Sequence, residues 1–184
     1  MQPFRIETER LVLREMRMSD LFSLFHMFDD PEHMRYYPRT FTLEEAHNWI
    51  RWNLRNYRQF GHGLWLMELK DSGDFVGNCG LTKQLVEHEQ FVEVGWHTKR
   101  SVWGRGFAAE AGAACRDYAF SSVGVDRLIS LIRPENEQSA RVAQKIGLTV
   151  WREVMRVGGL HHVYSMTRTE WDALTTSPPT ASCG

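Results

Sequence analysis

"EVGWHTKRSVWGRGFAAEA", residues 93–111, is the stretch on which the fold turns. It begins as a strand, becomes basic, and sets two glycines directly ahead of an alanine-rich run. Glycine costs helix stability and alanine favours it, so the passage reads as strand, loop, backbone-exposing turn and helix start. Such a start offers free N–H groups and a positive dipole end to an anion. The amides of Gly104 through Ala108 would face a pyrophosphate, with Lys99, Arg100 and Arg105 adding charge at the same mouth. A surface turn with solvated cations is the plainer account of the same residues. The glycine spacing does not match a dinucleotide fingerprint, and there is no Gly-Lys-Ser/Thr for a P-loop.

Downstream, the Gly104–Phe120 helix sets Phe107, Ala111, Ala114, Cys115 and Tyr118 on one face. "DRLISLI" (126–132) is a nearly continuous apolar run, as a strand buried on both faces would be. Asn136 to Ile146 reads as a helix closed by Gly147, and "LTVWREVMRV" and "LHHVYSMTR" flank Gly158-Gly159 as a hairpin. Upstream, "GLWLMELK", "DFVGNCGLTK" and "EQFVEVGWHT" are three strands, the first two joined through Asp71, Ser72 and Gly73. Thr42 and Glu45 form a capping-box pattern, and Leu43, Ala46, Ile50, Leu54 and Tyr57 continue at helical spacing to Gly61. "DDPEHMRYYPRTF" (29–41) is a loop. Before it come a helix with Leu21, Leu24, Phe25 and Phe28 on one face, N-capped by Ser19, and a strand over 10–16. The order β-α-α-β-β-β-α-β-α-β-β predicts an α/β protein with one sheet. One domain spans 1–174, and "TTSPPTASCG" (175–184) is a flexible polar tail.

A chain of 184 residues suffices for one domain with a sizeable core, and a net charge of -1 argues against a general nucleic-acid binder. Cys79 and Cys115 fall in apolar segments and Cys183 in the tail, without a Cys-x-x-Cys pair, which suits a reducing cytosol. The amino terminus has no apolar h-region, and no run approaches membrane-spanning length. These features predict a soluble cytoplasmic protein with neither nucleic acid nor membrane as partner. The eight histidines, His88, His161 and His162 among them, form no His-Glu-x-x-His pattern and read as solvated loop residues, so no metal is predicted.

A second stretch, "RPENEQSARVAQKIGL" (133–148), places Asn136 at a helix start, Ser139 one turn in and Arg141 beyond it. An N-cap explains Asn136 alone, but not the pairing of this helix with the glycine turn. Together, Val92 to Leu148 resembles the acetyl-coenzyme A site of the GNAT N-acetyltransferase superfamily. It is closest to the Rim-type branch, which acetylates protein amino termini and various small amines. "ETERLVLREM" near the start and "HHVYSMTRTEW" near the end extend the likeness over nearly the whole chain.

The resemblance implies a mixed, mostly antiparallel sheet, splayed between its central strands and flanked by helices on both faces. Acetyl-coenzyme A, as co-substrate, would enter the splay like an extra strand, beside the strand ending at Trp96, His97 and Thr98. Its pyrophosphate would rest on Gly104, Arg105, Gly106, Phe107 and Ala108, with Arg100, Asn136, Ser139 and Arg141 completing the binding set. Gly95 would mark a bulge that opens the gap, and Trp103 would pack beneath the turn.

Amine attack on a thioester needs a neutral amine, donors for the developing oxyanion and a proton for the leaving thiolate. The implied donor is a backbone N–H near Trp96. Glu93 is the candidate base, its pKa raised by apolar neighbours, or else a solvent-facing strand residue. Many members carry a tyrosine seven residues after the asparagine, where this chain has Ala143. Rim-type proteins resemble this one in having a serine, here Ser139, near the sulfur; otherwise Ser139 is an ordinary first-turn residue. Tyr164 is the reserve candidate, or a half-buried strand aromatic. The chain also departs from the pattern at Ser101, where an arginine or glutamine is common, and at Arg100, where Rim-type relatives often have proline.

On the acceptor side, the loop over 29–41 offers Asp29, Asp30 and Glu32 to attract a cation and Tyr36, Tyr37 and Phe41 to wall a cleft. A solvated acidic turn followed by core aromatics explains the same residues. A protein amino terminus, a polyamine and an aminoglycoside-like small molecule all remain as amine acceptors, and a homodimer is left open. From other classes come a non-catalytic acyl-coenzyme A-binding or sensing module, suggested by Ala143, and a phosphate-anchored nucleotide binder.

Overall fold

Alternating side chains on the central strands bury both faces of one sheet. The computed structural model describes residues 4–156 and 158–176. Its strands are β1 (Arg5–Glu7), β2 (Leu11–Arg14), β3 (Leu64–Leu69), β4 (Phe75–Val86), β5 (Glu89–Thr98), β6 (Arg127–Ile132), β7 (Thr149–Arg156) and β8 (Gly159–Thr167). They lie in the order β1-β2-β3-β4-β5-β6-β8-β7. Every neighbouring pair is antiparallel except β5 with β6. The helices are α1 (Leu21–Phe28), α2 (Leu43–Phe60), α3 (Phe107–Tyr118), α4 (Glu137–Lys145) and α5 (Arg168–Thr176). Along β3, Trp65 and Met67 join the core around Phe107, Ala111 and Cys115 of α3, while Leu64 and Leu66 join Leu24, Phe28 and Ile50 of α1 and α2. Helices therefore cover both faces, as the resemblance implies.

Local chemistry sets the helix ends. The Thr42 hydroxyl accepts the Glu45 N–H at 3.2 Å, and the Glu45 carboxylate accepts the Thr42 N–H at 2.8 Å. At the far end of α2 the Tyr57 hydroxyl donates to the Leu64 carbonyl, and the buried Asn53 accepts the Leu64 N–H at 2.8 Å. These bonds fix α2 against the start of β3. On α4 the Asn136 carboxamide accepts the Ser139 N–H at 3.1 Å.

Several expectations are corrected. Ser19 caps no helix: it lies in a tight turn over Met18–Asp20, where the Asp20 carboxylate takes the Arg17 N–H at 2.6 Å and pairs with Arg14. No bulge falls at Gly95, because β4 and β5 keep an unbroken register from Gly77↔Thr98 through Gly80↔Gly95 to Val86↔Glu89. Not all histidines are solvated. His62 is 2% exposed, with Nδ1 3.1 Å from the Leu81 carbonyl oxygen, and His97 lies among the rings of Phe28, His33, Tyr37 and Trp49. β1 is too short to carry a period. The unpredicted α5 is held by tertiary contacts: Trp171 stacks on Phe120 at 5.4 Å and donates to Asp117 at 2.8 Å. That helix reaches Thr176, two residues into the stretch read as a tail, whose remainder, with Cys183, lies outside the described residues. Among the described residues no helix is long and apolar enough to cross a membrane.

Candidate active site

The sheet opens where its one parallel ladder stops. β5 and β6 pair only at Val92↔Leu128 and Glu93↔Ile129, although β5 runs on to Thr98 and β6 to Ile132. The β5 edge from Val94 to Thr98 therefore presents main-chain donors and acceptors without a strand partner on that side. Glu93 builds the divergence. One of its carboxylate oxygens accepts the Leu131 N–H at 3.0 Å; the other accepts from Gln84 Nε2 at 2.7 Å and the Thr82 hydroxyl at 3.3 Å. A side chain thus stands where the next rung would be. Arg156 steadies the arrangement by donating to Gln84 Oε1 and to the Leu85 carbonyl, each at 3.1 Å. Burial pushes the Glu93 carboxyl above its ordinary value, as expected, and outweighs the opposing pull of Leu131, Gln84, Thr82 and Arg156.

Beyond Thr98 the chain makes the glycine turn. Gly104 and Gly106 have φ of +76° and +82°, a left-handed conformation that side-chain-bearing residues rarely adopt. Gly106 is the N-cap of α3 and supplies no side-chain cap, leaving the first-turn N–H groups free of one. The Trp103 indole N–H donates to the Thr98 carbonyl at 2.8 Å, tying the turn to the end of β5. From below, Arg10 donates to the Arg105 carbonyl at 3.0 Å. Glu110, in the first turn of α3, accepts from Arg10 Nε and the Arg10 N–H, each at 2.7 Å, and from the Thr8 hydroxyl at 2.6 Å. Sequence reasoning missed this brace, although Thr8 and Arg10 lie in the "ETER" block that carries part of the resemblance.

Two cavities meet at the opening. The first, about 300 Å³, runs past Trp96, His97 and Thr98 of β5, the turn and α3 start at Gly104, Gly106, Phe107 and Ala108, and Asn136, Ser139 and Arg141 by α4. The second, about 390 Å³, lies on the other side of the same point, against Glu93, Tyr37, Trp49 and Trp52. They share Tyr36, Tyr37, Trp96, His97, Asn136 and Ser139. The Ser139 hydroxyl at that junction forms no hydrogen bond among the described residues. Lys145, unforeseen from the sequence, also lines the first cavity; its place one turn after Arg141 was the available signal.

Other candidates lie elsewhere. Arg100 lines neither cavity and pairs with Asp30 at 3.1 Å; Arg105 lines neither and stacks on Phe107 at 4.9 Å. Tyr164, 4% exposed, packs in the core with Ala143 and Ile146 and is not brought to the junction. The acidic residues of the loop do not line the second cavity: Asp30 is paired with Arg100, Glu32 with Arg35, and Asp29 is exposed at the end of α1. Its aromatics do line the cleft through Tyr36 and Tyr37, while Phe41 packs on Phe28 at 4.8 Å. Burial and the neighbouring His33 push His97 down to about 3, so its ring is neutral near pH 7.

The family model for the acetyltransferase (GNAT) domain matches residues 10–149, and the chain belongs to that family. It is 39% identical over 145 residues to the uncharacterized protein YkkB of Bacillus subtilis, spanning 78% of this chain and 84% of that one. An acetyltransferase crystal structure from Agrobacterium tumefaciens matches with a TM-score of 0.79 at 30% identity, over 90% of this chain and 95% of the other. RimJ of Mycobacterium smegmatis, solved in complex with CoA-disulfide, shares the fold with a TM-score of 0.73 at 22% identity, over 94% and 95% of the two chains.

The brace under α3 has a pH signature. Desolvation raises the Glu110 carboxyl, but hydrogen bonds from Thr8 and Arg10 outweigh it and hold the group below its ordinary value of 4.5. A depressed carboxylate contributes stability that is full above the unfolded-state value and is lost as the pH falls through the folded one. Glu110→Gln should therefore lower the denaturant midpoint at pH 7, by about 1–3 kcal/mol of stability. The gap between variant and parent should close as the pH drops below 4.5. A gap that stays constant in acid would contradict the ionic brace.

Proposed function

We propose that this chain transfers an acetyl group from acetyl-coenzyme A to a primary amine by direct attack, in the manner of the Rim-type branch. The observation that carries the reading is the unpaired β5 edge, opening where two cavities meet beside a free serine hydroxyl. A pantetheine arm carries amides that match a strand edge, and its pyrophosphate matches an uncapped helix start. Backbone from Val94 to Thr98 would hold the arm, and the amides from Gly104 to Ala108 the pyrophosphate, with Arg141 and Lys145 at the same cavity supplying charge. The solved RimJ complex, which contains a coenzyme A derivative on the same fold, supports this assignment.

The co-substrate supplies an activated thioester carbonyl. The residues of the chain divide the remaining tasks. A backbone N–H near Trp96 polarises the carbonyl oxygen, at no reorganisation cost because that edge is already open. Glu93, lining the acceptor-side cavity with a raised pKa, accepts the proton of the amine. Ser139 hydrogen-bonds the departing sulfur, which recovers a proton from water. Ala143 is fully buried and offers no donor, so the same cleft without turnover would be an acyl-coenzyme A sensor. The free, buried thiols of Cys79 and Cys115 fit a cytoplasmic setting.

Thiol release from acetyl-coenzyme A across a panel of primary amines tests the reading: turnover is expected, and tight binding without turnover would establish the sensor instead. Gly106→Val places a β-branched residue at φ +82°, with its Cβ 3.5 Å from Arg10 Nη2, and so distorts the turn whose amides would meet the phosphates. It should weaken acetyl-coenzyme A at least about tenfold by isothermal titration, and unchanged affinity would remove the turn from the binding site. Glu93→Gln should lower kcat about a hundredfold and leave the affinity for acetyl-coenzyme A in place. With Glu93 intact, the rate should fall in acid through a value above 4.5, because burial raises the pKa and only the ionised form accepts a proton. If the variant keeps the same acid limb, Glu93 is not the base.

A further inference from the structure

The acceptor-side cavity contains a charge that the fold leaves unanswered. Arg133 follows β6, is half-buried, and lines this cavity. Its guanidinium forms no hydrogen bond or ion pair among the described residues. Gly158, in the β7–β8 turn, makes room for it: a Cβ there would come within 2.5 Å of Arg133 Nη2. The arginines that line the first cavity have answered charges, Arg35 with Glu32 and Arg141 with Glu137. A half-buried guanidinium without a partner is costly unless a ligand supplies one.

The rest of the cavity narrows that ligand. Among the described residues Glu93 is the one carboxylate that lines it, and each of its oxygens already accepts a hydrogen bond, from Leu131 on one and from Gln84 and Thr82 on the other. Arg156 also lines the cavity, and its partners are the neutral oxygens of Gln84 and Leu85. Two guanidinium groups therefore share the cavity with one carboxylate that is already hydrogen-bonded. Tyr37, Trp49 and Trp52 give the same cavity an aromatic wall. The volume of about 390 Å³ suits a small molecule. Beside the junction the Tyr36 hydroxyl donates to the Glu135 carbonyl at 3.0 Å, bridging the two loops that border the cleft.

We propose that the acceptor is a small primary amine carrying a carboxylate and an apolar or aromatic body, the pattern of a free α-amino acid, and that Arg133 selects it. This rests on the acetyl-transfer reading and names its substrate class. Arginine pairs with carboxylate through two parallel hydrogen bonds, while the aromatic wall holds the side chain. The positive excess disfavours the ammonium form of the bound amine, which helps it reach the neutral state that attack requires. It also opposes polycations such as polyamines. The nitrogen forms the new C–N bond as the thioester C–S bond breaks, and one proton passes from nitrogen, through Glu93 and water, to the departing thiolate.

The test compares phenylalanine, leucine and methionine with their carboxamides, and with spermidine, in the thiol-release assay on the full chain. The free acids are expected to exceed their amides in kcat/KM by roughly tenfold to a hundredfold. Arg133→Gln should bring that ratio to within about twofold, and Arg133→Lys should retain part of it. The Kd for acetyl-coenzyme A, measured in parallel, should hold in both variants and reports that they are folded. A preference for amides or spermidine, or an unchanged ratio in a folded Arg133→Gln, overturns the inference and leaves acetyl transfer standing. Failure of every amine to give thiol release, despite acetyl-coenzyme A binding, overturns both.

Discussion

The parallel ladder between β5 and β6 ends after two rungs, and the rest of the site follows from that interruption. Main-chain groups inside a fold need partners, and five residues of β5 are left with one edge unpaired. The protein does not open this edge with a bulge at Gly95. It props the edge open with a buried carboxylate that takes the first orphaned N–H of β6 for itself. Glu93 is thus part of the architecture before it is part of any chemistry. Three hydrogen bonds and a nearby arginine offset only part of its burial cost, which leaves it with a raised proton affinity.

The glycine turn extends the same device. Trp103 fastens it to Thr98, so the open edge and the α3 amino terminus form one continuous run of main-chain donors. Arg10 and Thr8, about a hundred residues away in sequence, hold that terminus through Glu110 in its first turn. The two cavities then differ in what their side chains can answer. The first has α4 cations over open backbone; the second has an aromatic wall and an arginine without a counter-charge.

Much of this was legible in the sequence wherever the signal is local. The strand–turn–helix around Gly104, the Thr42–Glu45 box, the Asn136 cap and the closing hairpin each need only neighbouring residues. The resemblance then placed ten of the twelve expected cofactor residues along one cavity. What failed depends on distant partners. Nothing near Asp30 says that Arg100 will pair with it, and nothing in β8 says that Tyr164 will turn into the core. The bond from Leu131 to Glu93 spans 38 residues, and it assigns to Glu93 the opening that a glycine was expected to make. Arg133 gave no sequence signal, since its meaning lies in what does not surround it.

The central claim is that the unpaired β5 edge receives the pantetheine arm. A crystal structure of the chain with acetyl-coenzyme A measures this directly. The arm should lie between β5 and β6, hydrogen-bonded to backbone within Val94–Thr98, with its pyrophosphate on the amides that follow Gly104. An arm bound at any other surface, or a β5 edge closed by β6 in the complex, would contradict the account.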